Sequence, residues 1–199
     1  MGKNSINDED VRIIEAMLFS SPDPLTQKKV DLCYDENPPS LKKIIDELEK
    51  EYSKDSSSVF IQLVAGGYRL VTKPEYHHWV KRLFTRVKKS PLSHAALEAL
   101  SIIAYKGPIN RSELESIRGV NSGSVVKTLL DRNLIKISGR GKGPGKPLLY
   151  TVTDKFLISF GLNKVSDLPK IKEISELIKE HQPTENEAIH ASDQVLGTG

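Results

Sequence analysis

The sequence predicts a mostly α chain with small β-hairpins, an α+β fold, and three observations carry that expectation. Apolar residues recur at helical spacing in several capped segments. Two strand-like pairs interrupt them, one around Gly66-Gly67 and one around a long Gly-rich loop. The order of helices followed by paired strands then occurs twice along the 199 residues.

The first helix is expected over Asp8–Ser20, capped by Asp8, with Val11, Ile13, Ile14, Met17 and Leu18 on a broad apolar face. Ser21-Pro22-Asp23-Pro24 ends it, because proline lacks an N–H and restricts the residue before it. Leu25–Cys33 reads as a short second helix. Ser40 caps a third, which places Leu41, Ile44, Ile45 and Leu48 on one side and a mostly charged set on the other. Val59–Ala65 and Tyr68–Thr72 read as strands joined by a tight Gly66-Gly67 turn. Lys73–Arg86 reads as a closing helix, begun near Pro74 and anchored by Tyr76 and Trp79. Three helices followed by a hairpin is the winged-helix order.

The order then repeats. Ser93–Tyr105 is a helix that is apolar nearly all round. Asn110-Arg111-Ser112-Glu113 opens the next in the manner of a capping box. Asn121–Arg132 is a third, with Val125, Leu129 and Leu130 inward. Leu134–Ser138 and Leu148–Thr153 are strands around the loop Gly139–Pro147, and Phe156–Leu162 is a final short helix. The chain therefore divides near 87–92 into two tandem winged-helix domains: an N-terminal one over 1–88 and a C-terminal one over 91–165. Residues 166–199 form an acidic, partly disordered tail, in which 168–178 has an amphipathic pattern.

Charge follows the same division. Residues 1–90 hold 15 basic and 14 acidic side chains, 91–165 hold 11 and 5, and 166–199 hold 3 and 7. The overall +3 argues against a histone-like DNA coat. No apolar run approaches the roughly 18–20 residues of a membrane span, and the polar, acidic start lacks the pattern of a secretory signal. The composition reads as that of a soluble cytoplasmic protein. The single cysteine, Cys33, allows no internal disulfide and reads as a packing residue.

Catalytic and metal chemistry find little material. His77 and His78 are adjacent, so on a helix they diverge by about 100° rather than chelating as an i, i+4 pair. His94 sits at a helix start. Glu113 is accounted for by capping and Glu115 by solvent. The expectation is a non-enzymatic protein with no catalytic residues, no cofactor and no metal. The loop Gly139–Pro147 is the most distinctive segment. As a P-loop it fails, because Arg140 stands where the first Gly belongs and Pro147 follows Lys146. As a dinucleotide fingerprint it fails at Pro144 or Lys146. What remains is a basic wing whose Arg140, Lys142 and Lys146 can face phosphates, or equally a hairpin tip whose glycines simply permit the turn. Arg118 and Lys127 complete the candidate partner or nucleic-acid contacts. The 121–132 helix, with Asn121, Ser122, Ser124, Lys127, Thr128, Asp131 and Arg132 outward, is poor material for reading base edges. Its N-terminal counterpart is acidic, with Asp46, Glu47, Glu49 and Glu51. The over-apolar 93–105 helix needs cover from its own core or from a partner, and Leu97, Leu100 and Ile103 are the candidate interface residues.

A more specific resemblance runs through Pro91-Leu92-Ser93-His94-Ala95-Ala96-Leu97-Glu98-Ala99-Leu100-Ser101-Ile102-Ile103-Ala104-Tyr105-Lys106. It continues in Pro108-Ile109, Arg111-Ser112-Glu113-Leu114-Glu115, Ile117-Arg118-Gly119-Val120, Leu129-Leu130, Leu134-Ile135, Gly139-Arg140, Pro144-Gly145-Lys146-Pro147, Tyr150, Phe156-Leu157, Phe160-Gly161-Leu162 and Leu168-Pro169. Ile14-Glu15-Ala16-Met17-Leu18-Phe19-Ser20 and Gly66-Gly67-Tyr68-Arg69-Leu70 agree more loosely. The chain resembles the bacterial segregation and condensation protein B (ScpB) family over about 10–170. It departs at Gly107, where the family usually has Gln, and at Gly123, where Asp is common. The resemblance implies a homodimer, made by the N-terminal domains, whose C-terminal domains grip the kleisin ScpA. Through ScpA it would join the SMC ATPase in chromosome condensation and partition during the cell cycle and cell division. It implies a cytoplasmic, nucleoid-associated protein that contacts DNA weakly or only within the complex and binds no membrane. The alternative is a winged-helix transcriptional regulator that uses the basic wing.

Overall fold

A computed structural model of the chain describes residues 7–84 and 91–170. Most of the expected domain boundary near 87–92 (its residues 87–90) and the tail beyond 170 lie outside the described residues, and with them most of the 168–178 pattern. Residues Met1–Ser166 form one unit and Asp167–Gly199 another; the elements below belong to the first. The class is mixed helix and small sheets, as expected.

Helix α1 spans Asp8–Ser20. Its cap is Asn7, one residue earlier than expected: the Asn7 side chain accepts from the Glu9 N–H. Asp8 instead joins Glu9 and Asp10 in the first turn, where carboxylates meet the positive end of the helix dipole. Helix α2 is Gln27–Cys33, shorter than Leu25–Cys33. Thr26 caps it, because Leu25 is drawn into backbone bonds with Tyr68, donating at 2.7 Å and accepting at 2.9 Å. Helix α3 is Leu41–Tyr52 with Leu41, Ile44, Ile45 and Leu48 all buried. The hydroxyl of Ser40 makes no cap bond; Gln27 Oε1 accepts from the Leu41 N–H at 2.7 Å instead. These side chains join Ile14, Leu18, Val30 and Ile61 in one apolar core.

Strands β1 (Val59–Val64) and β2 (Gly67–Thr72) pair antiparallel, with Val64 opposite Gly67. The turn residues are therefore Ala65 (φ 50°) and Gly66 (φ 75°) rather than Gly66-Gly67. Gly67 is needed for a different reason: a Cβ there would lie 2.8 Å from the Leu25 carbonyl oxygen. A 3₁₀ turn at Pro74–Tyr76 leads into α4, His77–Leu83, none of whose residues is buried.

In the second half, α5 (His94–Lys106) is capped by Ser93. Helix α6 (Arg111–Arg118) carries both bonds of the expected Asn110–Glu113 capping box and ends at Gly119 in the left-handed region. Helix α7 is Gly123–Asp131, with Val126 and Leu129 buried and Val125 and Leu130 half-buried. Strand β3 is the dipeptide Ile109–Asn110, β4 is Ile135–Arg140 and β5 is Leu148–Val152. The sheet order is β3-β5-β4, all antiparallel. A bulge between Ile137 and Gly139 lets β4 run to Arg140, beyond its expected end. Thr153 caps α8, Asp154–Phe160.

The β1–β2 tip meets the end of α8. The Ala65 N–H donates to the Leu162 carbonyl at 3.0 Å, and the Gly66 N–H to Asn163 Oδ1 at 2.8 Å. Arg69, held against Gln62 Oε1, donates to the Ile158 carbonyl at 3.4 Å. A groove of about 500 Å³ opens beside this junction, lined by Pro24, Lys29, Ala65, Lys155 and Ile158 among others.

Candidate partner-binding surfaces

Helix α5 decides where a partner can touch the second half. It runs across its own core with Ala96, Ala99, Leu100, Ile103 and Ala104 buried. Of the three candidate interface residues, Leu100 is 2 % exposed and Ile103 1 %. They are covered from within the chain, so neither can meet a partner without opening the core. Leu97 is 41 % exposed, as is Tyr105 eight residues on. At 1.5 Å rise per residue, Leu97, Ser101 and Tyr105 form a solvent-facing stripe about 12 Å long. Ile117 and Val120, at the end of α6, are also exposed.

Arg118 is not a surface contact. Its side chain is 4 % exposed. Nε and Nη2 donate to one Glu98 oxygen at 3.1 and 2.9 Å, tying α6 to α5, and Nη1 donates to Ser122 Oγ at 2.7 Å. Ser122, expected on the outer face of α7, is fully buried for the same reason. Its N–H donates to Glu115 Oε1 at 2.8 Å, and that oxygen also accepts from Arg111 Nε at 2.7 Å. The Ser122 N–H, then Arg111, hold the Glu115 carboxyl below the usual carboxylate range. Glu115 is thus a latch between α6 and α7, where the sequence pointed to solvent. Arg111 Nη2 further donates to Asn121 Oδ1 at 3.2 Å. Just before α7, Ser122 is thus buried against Arg118, and the exposed Asn121 accepts from Arg111.

The remaining candidates are exposed: Lys127 on α7, Arg140 at the end of β4, and Lys142 and Lys146 in the loop between β4 and β5. In the first half, α4 presents Trp79 (65 % exposed) and Leu83, one turn apart, with Phe84 beside them. Trp79 does not anchor α4 as expected: among the described residues its ring meets His78 and Arg82, whose guanidinium lies 5.6 Å from the indole centroid, and it stays mostly exposed. Phe19 and Leu32 are likewise exposed. Cys33 is exposed rather than packed. Two buried-side tyrosines brace the half: Tyr52 donates to Glu15 and Tyr34 to Asp10. Burial first, then those hydrogen bonds to carboxylates, push each phenol up to about 12.

Among the described residues no group of three His, Cys, Asp or Glu could hold a metal ion, and no helix is long and apolar enough to cross a membrane. What the described surface offers is exposed apolar side chains and a basic loop. Comparison with known sequences is specific. The family described as segregation and condensation complex subunit ScpB matches residues 12–171, and the chain belongs to it. It is 45 % identical to segregation and condensation protein B of Syntrophotalea carbinolica over 85 % of this chain and 86 % of that protein. It is 41 % identical to that of Acetivibrio thermocellus over 88 % and 90 %. A crystal structure of a dimer of the ScpB N-terminal domain with an ScpA peptide matches 38 % of this chain and 94 % of its own, at 24 % identity and a TM-score of 0.34.

Proposed function

We propose that this chain is a non-enzymatic, homodimeric subunit of an SMC–kleisin complex that binds the kleisin ScpA. The observation that carries the reading is the family match across residues 12–171. Two features of the molecule support it. Helix α4 leaves Trp79, Leu83 and Phe84 in water, and burying such side chains is worth about 1.5–3 kcal/mol each. A second copy of the chain is the partner we assign to that face, which makes residues 1–88 the dimerising winged-helix domain. The Leu97–Tyr105 stripe gives residues 91–165, the second winged-helix domain, an apolar seam for a ScpA segment. The element order α1-α2-α3-β1-β2, and then α5-α6-α7-β4-β5, supports that division. Through ScpA the chain joins the SMC ATPase, in the cytoplasm and at the nucleoid, in chromosome partition. A regulator reading bases through α7 is disfavoured, since Asn121 and Ser122 at its start are spent on Arg111 and Arg118.

The test is co-purification of the full chain with ScpA. The wild type is expected to bring down ScpA. Leu97→Asp with Tyr105→Asp is expected to lose it while keeping its melting temperature, and Trp79→Ser with Leu83→Ser to lose self-association. Wild type that ignores ScpA would overturn the proposal.

A further inference from the structure

From Arg132 to Thr153 the chain carries five cations (Arg132, Lys136, Arg140, Lys142 and Lys146) and no carboxylate; the flanking acids are Asp131 and Asp154. Lys136, Arg140, Lys142 and Lys146 are all exposed. The salt bridges Lys50–Glu47, Lys54–Glu51, Arg111–Glu115 and Arg118–Glu98 among the described residues draw on none of Lys136, Arg140, Lys142 and Lys146. The tip is also held in shape. The Gly141 N–H donates to the Pro147 carbonyl at 2.8 Å, the Lys146 N–H to the Gly143 carbonyl at 3.0 Å, and Arg140 Nη1 to the Lys146 carbonyl at 3.3 Å. Those bonds keep Arg140 and Lys146 on one closed loop with Lys142 between them. The bulge at Ile137–Gly139 carries Arg140 into register with Leu148 at the loop's base.

We infer that this hairpin tip is a sequence-independent contact for the nucleic-acid phosphate backbone. The choice of phosphates over an acidic protein follows from what surrounds the charges. Residues 139–146 are Gly-Arg-Gly-Lys-Gly-Pro-Gly-Lys, with proline as their one apolar side chain, whereas protein interfaces concentrate their energy in buried aromatic and aliphatic anchors. Cations spaced by glycines suit a backbone that offers one charge per phosphate and no pocket. Base reading is not part of the inference, because Asn121 and Ser122, just before α7, are bonded to Arg111 and Arg118. The tip shares no residue with the Leu97–Tyr105 stripe, so variants of one leave the residues of the other unchanged.

The experiment is a fluorescence-anisotropy titration of the full chain against a labelled duplex of about 30 base pairs and arbitrary sequence, between about 50 and 200 mM salt. Wild type is expected to bind, and two unrelated sequences to bind alike. Each phosphate contact contributes about 0.9 to the slope of log K against log salt, so Arg140→Ser with Lys142→Ser and Lys146→Ser should flatten that slope by about 2.7. Arg140→Lys with Lys142→Arg and Lys146→Arg keeps the charges and is expected to keep the slope. The neutral variant is expected to retain its melting temperature and ScpA capture. No wild-type binding at the lowest salt, an unchanged slope in the neutral variant, or poly-glutamate competing as well as DNA of equal charge would each overturn the inference. Loss of ScpA capture in the neutral variant would do so too, by placing the wing in the protein interface.

Discussion

Arg118→Ala separates a structural arginine from a surface one. The wild-type side chain is 4 % exposed and spans Glu98 on α5 and Ser122 before α7. Truncation removes two buried methylenes, about 1.6 kcal/mol at about 0.8 each. It also removes the charge-assisted bond to Ser122 Oγ, worth about 2 kcal/mol in a buried setting. That hydroxyl keeps a weak bond to the Val120 carbonyl at 3.3 Å, which holds the cost at the lower end. Glu98, with its side chain 52 % exposed, rehydrates freely, so its share is below about 1 kcal/mol. The expected loss is about 4 kcal/mol. At about 2–4 °C per kcal/mol for a chain of this size, the melting temperature should fall by about 8–16 °C. Arg118→Met keeps the stem and isolates the polar part, about 2 kcal/mol. Thermal unfolding followed by circular dichroism reads all of these. An Arg118→Ala variant that melts within about 2 °C of wild type would refute the reasoning.

Two glycines, Gly107 and Gly123, should respond with opposite signs. A Cβ at Gly107 would lie 2.5 Å from the Ile103 carbonyl oxygen and 3.3 Å from that of Tyr150, so Gly107→Ala should destabilise by about 1–3 kcal/mol in denaturant unfolding. At Gly123 the three atoms nearest to such a Cβ all belong to the Arg111 guanidinium, the far end of a flexible side chain that can shift, so Gly123→Ala should be neutral or stabilising by up to about 1 kcal/mol. Because the folded protein holds Glu115 below the usual carboxylate range, its contribution is complete above the unfolded value and is lost as pH falls through the folded one. Glu115→Gln should therefore flatten the acid side of a plot of melting temperature against pH, and an unchanged acid limb would count against the latch. Tyr52 works in the other direction: with its phenol at about 12, its stabilising share is present below about pH 10 and is lost as pH rises toward 12. Tyr52→Phe should cost about 1 kcal/mol at neutral pH and reduce the alkaline loss, leaving the part due to Tyr34.

The helices were legible because their signals are local. The spacing of Leu41, Ile44, Ile45 and Leu48 and the Asn110–Glu113 box both reappear in the structure. What was not legible depends on distant partners. A two-residue strand such as Ile109–Asn110 has no periodicity of its own and exists because β5 lies beside it. Leu25 leaves the second helix for Tyr68, more than forty residues away. Arg118 carries the charge of a surface residue, and only the approach of Glu98 and the fold of the 119–122 turn bury it. A dyad of Arg118 with a carboxylate on the neighbouring apolar helix was the available signal. Trp79 misled in the opposite sense: an aromatic residue on a short helix implies an anchor, but among the described residues none of the α4 side chains is buried.

The central claim is association, and light scattering of the chain eluting alone and with ScpA tests it most directly. The account predicts a particle of twice the 22.2 kDa chain mass on its own, and a complex holding two copies of the chain per ScpA. A monomer of 22.2 kDa whose mass does not change when ScpA is added would contradict it.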